Sequence, residues 1–82
     1  MSVSVSFFGL HRMLAQTDRI EVPLSSKIKK VADLFSYIRE NYPSLPLHRD
    51  MVLVTVNNHV SSFDRRLQVN DEISFIPHIG GG

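Results

Sequence analysis

The sequence predicts an α+β fold, in which a mixed sheet of four to five strands packs on one main helix. Two stretches near the start alternate apolar and polar residues, which is the pattern of a half-buried strand. A central stretch carries apolar residues at helical spacing, and further alternating stretches follow it. Because the chain has only 82 residues, these elements are expected to share one core.

The first two strands are predicted to form an antiparallel hairpin, joined by a loop over residues 11–16. Their apolar positions alternate with polar ones: Val3, Val5 and Phe7 in the first strand, and Ile20, Val22 and Leu24 in the second. Phe8 falls on the face opposite Phe7, since successive side chains point to opposite faces of a strand. Pro23 has no N–H for a ladder, so one side of the second strand is expected to be an edge of the sheet.

A helix is predicted to follow the hairpin. One stripe of apolar residues marks its buried face: Val31, Leu34, Phe35, Ile38 and Tyr42. Its start is expected near Ser25 or Ser26, which can cap a helix, although no Glu or Gln completes a capping box. Its end is expected before Pro43, which disfavours helical geometry at the preceding residue and cannot continue the helix.

Three further strands are predicted after the helix. Their positions follow from alternation: Val52, Val54 and Val56 in the third strand, residues 60–63 in a short fourth, and Ile73 and Phe75 in the fifth. In the fifth strand Ile76 points to the other face, and Pro77 closes the strand. Turns are predicted where asparagine tolerates a positive φ. These places are Asn57 with Asn58, and Asn70 with Asp71.

The resulting order, β-β-α-β-(β)-β, is typical of a β-grasp, the small ubiquitin-like fold in which a mixed sheet wraps one helix. We expect the folded domain to span residues 1–77. A flexible glycine tail is expected to follow over residues 78–82. The chain shows no repeat and, apart from this tail, no low-complexity stretch.

Composition excludes several classes of function. The chain has no cysteine, which rules out disulfides, iron–sulfur clusters and thiol nucleophiles. None of the four histidines shares metal-ligand spacing with another His, Asp or Glu, so we predict no metal site and no cofactor. The adjacent carboxylates Asp71 and Glu72 face opposite ways on a strand and make a poor acid–base pair. We therefore expect a protein that is not itself an enzyme.

Charge and hydropathy narrow the choice of partners. The net charge is +1 without a basic stripe, which disfavours nucleic acid. No apolar run approaches the ~20 residues that span a bilayer, and the first residues show no signal peptide. We therefore expect a cytoplasmic protein that binds neither nucleic acid nor membrane. Lys27, Lys29 and Lys30 form either a solvated loop and helix start or a docking patch for an acidic partner.

The terminal glycines, Gly80 to Gly82, point to chemistry at the chain end. Glycine loses more conformational entropy on ordering than any other residue, so stability does not explain the run. A segment without side chains can enter a narrow channel, and it delivers there the α-carboxylate of Gly82. That carboxylate carries a group only after activation, for example by adenylation, and attack by sulfide then gives a thiocarboxylate. The other interpretation of the run is a frayed terminus.

Three stretches of the sequence together resemble one known family. Residues 3–9 read VSVSFFG, and residues 75–82 read FIPHIGGG. Between them lies a third set: Val56, Asn57, Val60, Leu67 and residues 70–73. These resemble the VxVxFFA/G opening, the FFPPVxGG close and the VN…V…L…GDE(V/I) run of the MoaD family. That family comprises the small subunits of molybdopterin synthase, within the MoaD/ThiS ubiquitin-like sulfur-carrier superfamily. The chain departs from the pattern at Asn70, His78 and Gly80.

The resemblance implies a sulfur carrier. Gly82 is expected to be adenylated by an E1-like, MoeB-like adenylyltransferase and converted to a thiocarboxylate, with Gly81 needed for passage of the backbone. The tail is expected to enter a MoaE-like large subunit of molybdopterin synthase. There it donates sulfur to cyclic pyranopterin monophosphate in molybdenum cofactor biosynthesis. The partner-binding positions that the resemblance implies are Phe8, Val60, Ile76, Pro77, Ile79 and Gly80.

Alternation supports part of this surface independently, because it places Phe8 and Ile76 opposite the core residues Phe7 and Phe75. Packing of both side chains under a loop is the other interpretation. Three other functions stay open. A ThiS-like carrier delivers sulfur to thiazole synthesis for thiamine, a ubiquitin-like modifier joins Gly82 to a target lysine, and a plain interaction domain has an inert tail.

Overall fold

The strands within residues 1–77 form one five-stranded mixed sheet. The structure, a computed structural model, describes residues 1–77. Its elements in chain order are β1 (Ser2–Ser6), α1 (Gly9–Ala15), β2 (Arg19–Pro23), α2 (Val31–Asn41), a 3₁₀ turn (Arg49–Met51), β3 (Val52–Val56), β4 (His59–Val60) and β5 (Glu72–Pro77). The strand order is β2-β1-β5-β3-β4. β1 and β5 run parallel and the other neighbours are antiparallel, which confirms the predicted mixed sheet and early hairpin.

The core lies between the inner face of the sheet and α2. Alternate residues of β1, β3 and β5 are buried there, as predicted. So is the stripe of α2 that consists of Val31, Leu34, Phe35 and Ile38. The Phe35 ring packs at a steep angle to Phe75, with centroids 5.3 Å apart, and to Phe63 at 5.2 Å. Burying one such ring stabilises the fold by about 1.5–3 kcal/mol, so these contacts hold α2 across the central strand β5.

The predicted loop over residues 11–16 is wrong, because most of this stretch belongs to the helix α1. α1 has seven residues, too few to be stable without tertiary contacts. It buries only His11, so it presents no apolar stripe to the core from which a helix can be predicted. It also ends without glycine, at Gln16, whose φ of 60° lies in the left-handed region.

α2 begins later than predicted, and neither Ser25 nor Ser26 caps it. The N-cap is Lys30. The Asp33 carboxylate accepts hydrogen bonds from the backbone N–H groups of Lys29 (2.9 Å) and Lys30 (3.0 Å). The Asp33 carboxylate, at the third helical position, thus accepts the hydrogen bond that the Glu of a capping box normally accepts. These hydrogen bonds lower the pKa of Asp33 below its ordinary value.

The predicted turns and the predicted end of α2 are confirmed. α2 ends two residues before Pro43. Three asparagines have positive φ: 53° at Asn57, 69° at Asn58 and 70° at Asn70. β4 ends at Val60 and does not extend to residue 63. The chain leaves the sheet there because the Phe63 ring turns inward onto Phe35.

β2 is an edge strand, as Pro23 predicts. Leu24 donates its N–H to the carbonyl of Met1 (3.0 Å), and Phe7 donates to the carbonyl of Asp18 (2.8 Å). In an antiparallel ladder every second residue turns its N–H toward the partner strand, so the Pro23 nitrogen lies on the open side. Proline here removes no ladder bond and hinders the addition of a further strand.

Candidate partner-binding site

The candidate site lies where β1 and β5 both end, which we call the tail end of the sheet. The two strands are parallel, and Ser6 is level with Ser74. α1 follows β1 at this end. Pro77 is the last described residue before the C-terminal tail, residues 78–82. Four predicted site positions lie outside the described residues: Ile79, Gly80, Gly81 and Gly82.

Four apolar residues on the outer face of the sheet, opposite α2, form a surface that we call the outer apolar patch: Phe8, Leu53, Val60 and Ile76. The register pairs Leu53 with Ile76. It pairs Val60 with Thr55, which shares the outer face with Leu53. Val60 is 70% exposed, Phe8 48% and Leu53 42%, while Ile76 is half-buried. Grouped, exposed apolar side chains are a common feature of protein interaction surfaces.

Phe8 reaches this patch through the parallel pairing of β1 and β5. Ser6 is level with Ser74, and the backbone at Phe8 is still extended, with φ −128° and ψ 152°. Two residues beyond that pair, Phe8 is therefore level with Ile76. Phe7 is buried on the other face. Alternation thus predicts the side on which Phe8 lies, and the register, continued by two residues, indicates Ile76 as its neighbour.

Leu53 is a patch residue that the family resemblance does not name. It alternates with Val52 and Val54, so its outward direction follows from the same period of two that predicts the strand. Which residue it meets on that face does not follow from alternation. The antiparallel register with Ile76 is what brings Leu53 to the tail end of the sheet.

The remainder of the outer face is polar. Around the patch, the other strand residues of this face carry hydroxyl or charged groups: Ser4, Ser6, Thr55, Ser74, Arg19 and Glu21. Arg19 and Glu21 form an exposed ion pair at 3.9 Å. Apolar surface on this face of the sheet is therefore concentrated in the outer apolar patch.

A buried histidine connects α1 to β5 near Pro77. His11 is 2% exposed, and its Nδ1 lies 3.3 Å from the carbonyl oxygen of Phe75. Because a carbonyl only accepts hydrogen bonds, Nδ1 is the nitrogen that carries the hydrogen. No sequence pattern indicates this role, since a lone histidine between Leu10 and Arg12 shows neither its burial nor its partner.

The histidine contact takes the place of a backbone hydrogen bond at the end of the β1–β5 ladder. Ser4 donates its N–H to the carbonyl of Asp71 (3.0 Å), and in a parallel pair every second residue donates to the same neighbour. Continued along β1, this pattern brings the Phe8 N–H to the Phe75 carbonyl. The paired part of β1 ends at Ser6, opposite Ser74, and the His11 imidazole donates to the Phe75 carbonyl instead.

Other features of the described chain lie away from the tail end. Residues 1–77 contain no group of three or more His, Asp or Glu that could hold a metal ion. No helix in that range has the length and apolar character needed to cross a membrane. Lys27, Lys29 and Lys30 are exposed. They follow β2, which runs antiparallel to β1, so they lie at the opposite end of the sheet.

A comparison of the sequence with known families matches the ThiS family over residues 5–82. The molybdopterin synthase sulfur carrier subunit of Mycobacterium tuberculosis is 31% identical over 83 residues, covering 100% of this chain and 99% of that protein. The sulfur carrier subunit of the same name from Drosophila yakuba is 27% identical over 84 residues, covering 100% of this chain and 92% of its own length.

Solved structures share the fold. The putative molybdopterin converting factor subunit 1 of Pyrococcus furiosus superposes with a TM-score of 0.82 at 25% identity, covering 96% of this chain and 99% of its own. A complex of subunits 1 and 2 of the molybdopterin-converting factor from Helicobacter pylori gives 0.67 at 22% identity, with 100% of both chains covered.

The small archaeal modifier protein 1 of Methanosarcina acetivorans gives a TM-score of 0.79 at 22% identity, covering 99% of this chain and 96% of its own. These neighbours confirm the predicted β-grasp. With a family match over nearly its whole length and a curated relative 31% identical from end to end, the chain belongs to the ThiS family.

Proposed function

We propose that this protein is the sulfur carrier subunit of a molybdopterin synthase and performs no catalysis itself. Its folded body, residues 1–77, presents the C-terminal tail, on which Gly82 carries sulfur as a thiocarboxylate. End-to-end similarity to molybdopterin synthase sulfur carrier subunits supports this. The observation that carries the proposal is the position of the outer apolar patch. It extends across the outer face from Ile76, on the strand that continues into the tail, through Leu53 on β3 to Val60 on β4.

The chemistry begins with activation of the Gly82 carboxylate, because an ionised carboxylate is a poor electrophile. An E1-like, MoeB-like adenylyltransferase joins it to AMP and releases pyrophosphate from ATP. Sulfide attacks the acyl carbon, AMP leaves, and the product is the thiocarboxylate. The thiocarboxylate sulfur then bonds to cyclic pyranopterin monophosphate, and water cleaves the bond from sulfur to the acyl carbon, which restores the Gly82 carboxylate. Two such rounds build the dithiolene of molybdopterin. Because each round of charging consumes ATP, we place the protein in the cytoplasm.

The length and composition of the tail suit delivery into an enclosed site. From Pro77 to Gly82 the chain can extend to about 20 Å at ~3.3 Å per residue. Glycines near the end let the backbone approach the walls of a channel closely. The outer apolar patch docks on a MoaE-like large subunit, and the positions assigned to this contact are Phe8, Val60, Ile76, Pro77, Ile79 and Gly80.

Mass spectrometry of the C-terminal peptide tests the proposal. The purified chain is incubated with an E1-like adenylyltransferase, ATP and sulfide. We expect the mass difference of one sulfur replacing one oxygen at Gly82. A chain that ends at Ile79, and so lacks all the terminal glycines, is the control and should gain nothing. Absence of the gain in the full chain, with an enzyme that charges a known carrier, contradicts the proposal.

The acceptor is tested with the thiocarboxylated chain and the large-subunit homologue from the same genome. We expect this mixture to convert cyclic pyranopterin monophosphate to molybdopterin. Sulfur transfer to a thiazole synthase instead of the pterin would assign the protein to thiamine synthesis. A Gly-Gly remnant on lysines of other proteins would identify it as a ubiquitin-like modifier.

A further inference from the structure

α1 buries a polar side chain and exposes apolar ones, which is the reverse of what a surface helix normally shows. Its buried residue is His11, whereas Leu10 is 53% exposed, Met13 72% and Leu14 39%. Residues at these spacings lie on one side of a helix, and we call this side the α1 apolar face. In a surface helix such a stripe normally faces the core. Here it faces outward.

The exposure of the α1 apolar face results from how α1 is held. The N–H groups of His11 and Arg12 both point to the carbonyl of Phe8, at 3.0 and 3.4 Å. The His11 side chain is hydrogen-bonded to the carbonyl of Phe75 on β5. α1 is therefore attached to the sheet through a polar residue. Its large apolar side chains are left at the surface.

The outer apolar patch by itself is small for a stable interface. A standard interface buries roughly 800 Å² on each partner and involves about 20–30 residues a side. On the sheet, the neighbours of the patch are hydroxyl and charged groups. Phe8 belongs to the patch and is also the N-cap of α1, so the apolar surface at the tail end continues along α1.

A partner that encloses Gly82 has to cover the tail end of the sheet. Residues 78–82 reach at most about 17 Å from Pro77 at ~3.3 Å per residue. α1 is attached to Phe75, two residues before Pro77. A large subunit that takes up the tail therefore approaches α1 as well as the patch. Uptake of the tail does not bring a second copy of this chain to the tail end of the sheet.

We propose that the α1 apolar face is a second docking surface for the large subunit that accepts sulfur from Gly82. This inference rests on the proposed function and extends its interface to an element outside the positions that the resemblance names. Leu10, Met13 and Leu14 pack into an apolar surface of the large subunit beside the entrance for the tail. Phe8 connects the two docking surfaces.

Binding of the full chain to the large-subunit homologue from the same genome, measured by isothermal titration calorimetry, tests the inference. Met13→Glu is expected to raise the Kd by about tenfold or more, because the new carboxylate becomes buried and unpaired in the complex. Met13 is 72% exposed, so the thermal midpoint of unfolding should not change. Val69→Glu is the matched control, since Val69 is 44% exposed and adjoins Asn70 at the far end of the sheet.

The outcomes separate this inference from the proposed function. A wild-type chain that is not thiocarboxylated contradicts the proposed function, and the inference with it. A wild-type chain that is thiocarboxylated but does not bind the large subunit contradicts its assignment to molybdopterin synthase, and the inference with it. An unchanged Kd for Met13→Glu, or an equal loss of affinity for Val69→Glu, overturns the inference alone.

Two further measurements identify the occupant of the α1 apolar face. Thiocarboxylation of Met13→Glu should proceed at the wild-type rate. If the rate of thiocarboxylation falls by as large a factor as the affinity for the large subunit, the face is assigned to the adenylyltransferase instead. Sedimentation equilibrium of the chain alone should show a monomer. A dimer that Met13→Glu dissociates would assign the face to a second copy of this chain.

Discussion

Buried polar residues lie near both ends of the central strand β5. Within residues 1–77 the buried polar or charged side chains are Ser4, His11 and Asp71. His11 contacts β5 near Pro77, whereas Asp71 directly precedes the strand. The Asp71 carboxylate accepts hydrogen bonds from Asn57 Nδ2 (2.9 Å) and the Gln68 N–H (2.8 Å). A buried donor or acceptor with a partner is tolerated, but one left without a partner is strongly destabilising.

Asp71→Ala is expected to lower the free energy of unfolding by about 2–4 kcal/mol. The Asn57 and Gln68 donors lose their acceptor, and the Arg65 guanidinium, 3.8 Å from the carboxylate, loses its counter-charge. Urea denaturation measures the change. Asp64→Ala removes an exposed carboxylate and should shift the free energy by no more than about 0.5 kcal/mol. Equal effects of the two substitutions would show that the Asp71 hydrogen bonds do not stabilise the fold.

The start of the element α2 depends on contacts from distant parts of the chain. Its first N–H groups are satisfied from the segment after β4: Val31 donates to the carbonyl of Arg65 (2.9 Å), and Ala32 donates to that of Phe63 (2.9 Å). The Asp33 carboxylate accepts from the residues just before the helix. Local capping and tertiary contacts together determine where α2 begins.

Asp33→Ala is expected to destabilise the fold by about 1 kcal/mol near neutral pH, because two backbone N–H groups lose their acceptor. Those hydrogen bonds hold the pKa of Asp33 in the folded protein below 3.8. The stabilisation by the carboxylate is therefore complete well above pH 3.8 and is lost as the pH falls through the lowered pKa.

The difference between wild type and Asp33→Ala should accordingly shrink on acidification. Urea denaturation at a series of pH values, from neutral to below 3.8, measures it. Ser26→Ala tests the residue that capping rules favour from sequence, and it should leave stability within about 0.5 kcal/mol of wild type. A difference between wild type and Asp33→Ala that is independent of pH would contradict the assignment.

At the scale of the whole described chain, the apolar surfaces and the three lysines lie at opposite ends of the sheet. The outer apolar patch and the α1 apolar face lie at the tail end of the sheet. Lys27, Lys29 and Lys30 lie at the other, where the backbones of Lys30 and Arg66 form a bridge. The parallel pairing of β1 with β5 is responsible, because it brings the end of the first strand beside the end of the last.

Val60→Arg is expected to raise the Kd for the large subunit by about tenfold or more, because the charge becomes buried without a partner in the complex. Val60 is 70% exposed, so the thermal midpoint of unfolding should be unchanged. Ile76→Arg should weaken binding too, but Ile76 is half-buried and this variant should also unfold at a lower temperature. Titration calorimetry and thermal denaturation measure both effects. If Val60→Arg binds the large subunit with wild-type affinity, Val60 does not belong to the docking surface.

Prediction from the sequence succeeds where the information is local. Alternation identifies the strands and places Phe8 and Ile76 on the face away from the core, and Pro43 predicts the end of α2. The asparagine turns follow from the tolerance of that residue for positive φ. Prediction fails for α1, whose buried residue is polar. It also fails for the cap of α2, where an aspartate acts in place of the favoured serines.

By itself, the sequence determined which residues of the strands and of α2 face the core, where the asparagine turns lie and to which family the chain belongs. These properties depend on the period of side chains along the backbone and on motifs a few residues long. Only the tertiary structure decided that Phe8, Leu53 and Ile76 share one surface, and that His11 turns the apolar face of α1 outward. Pairing between distant strands sets those neighbours, and no local pattern encodes which strand lies beside which.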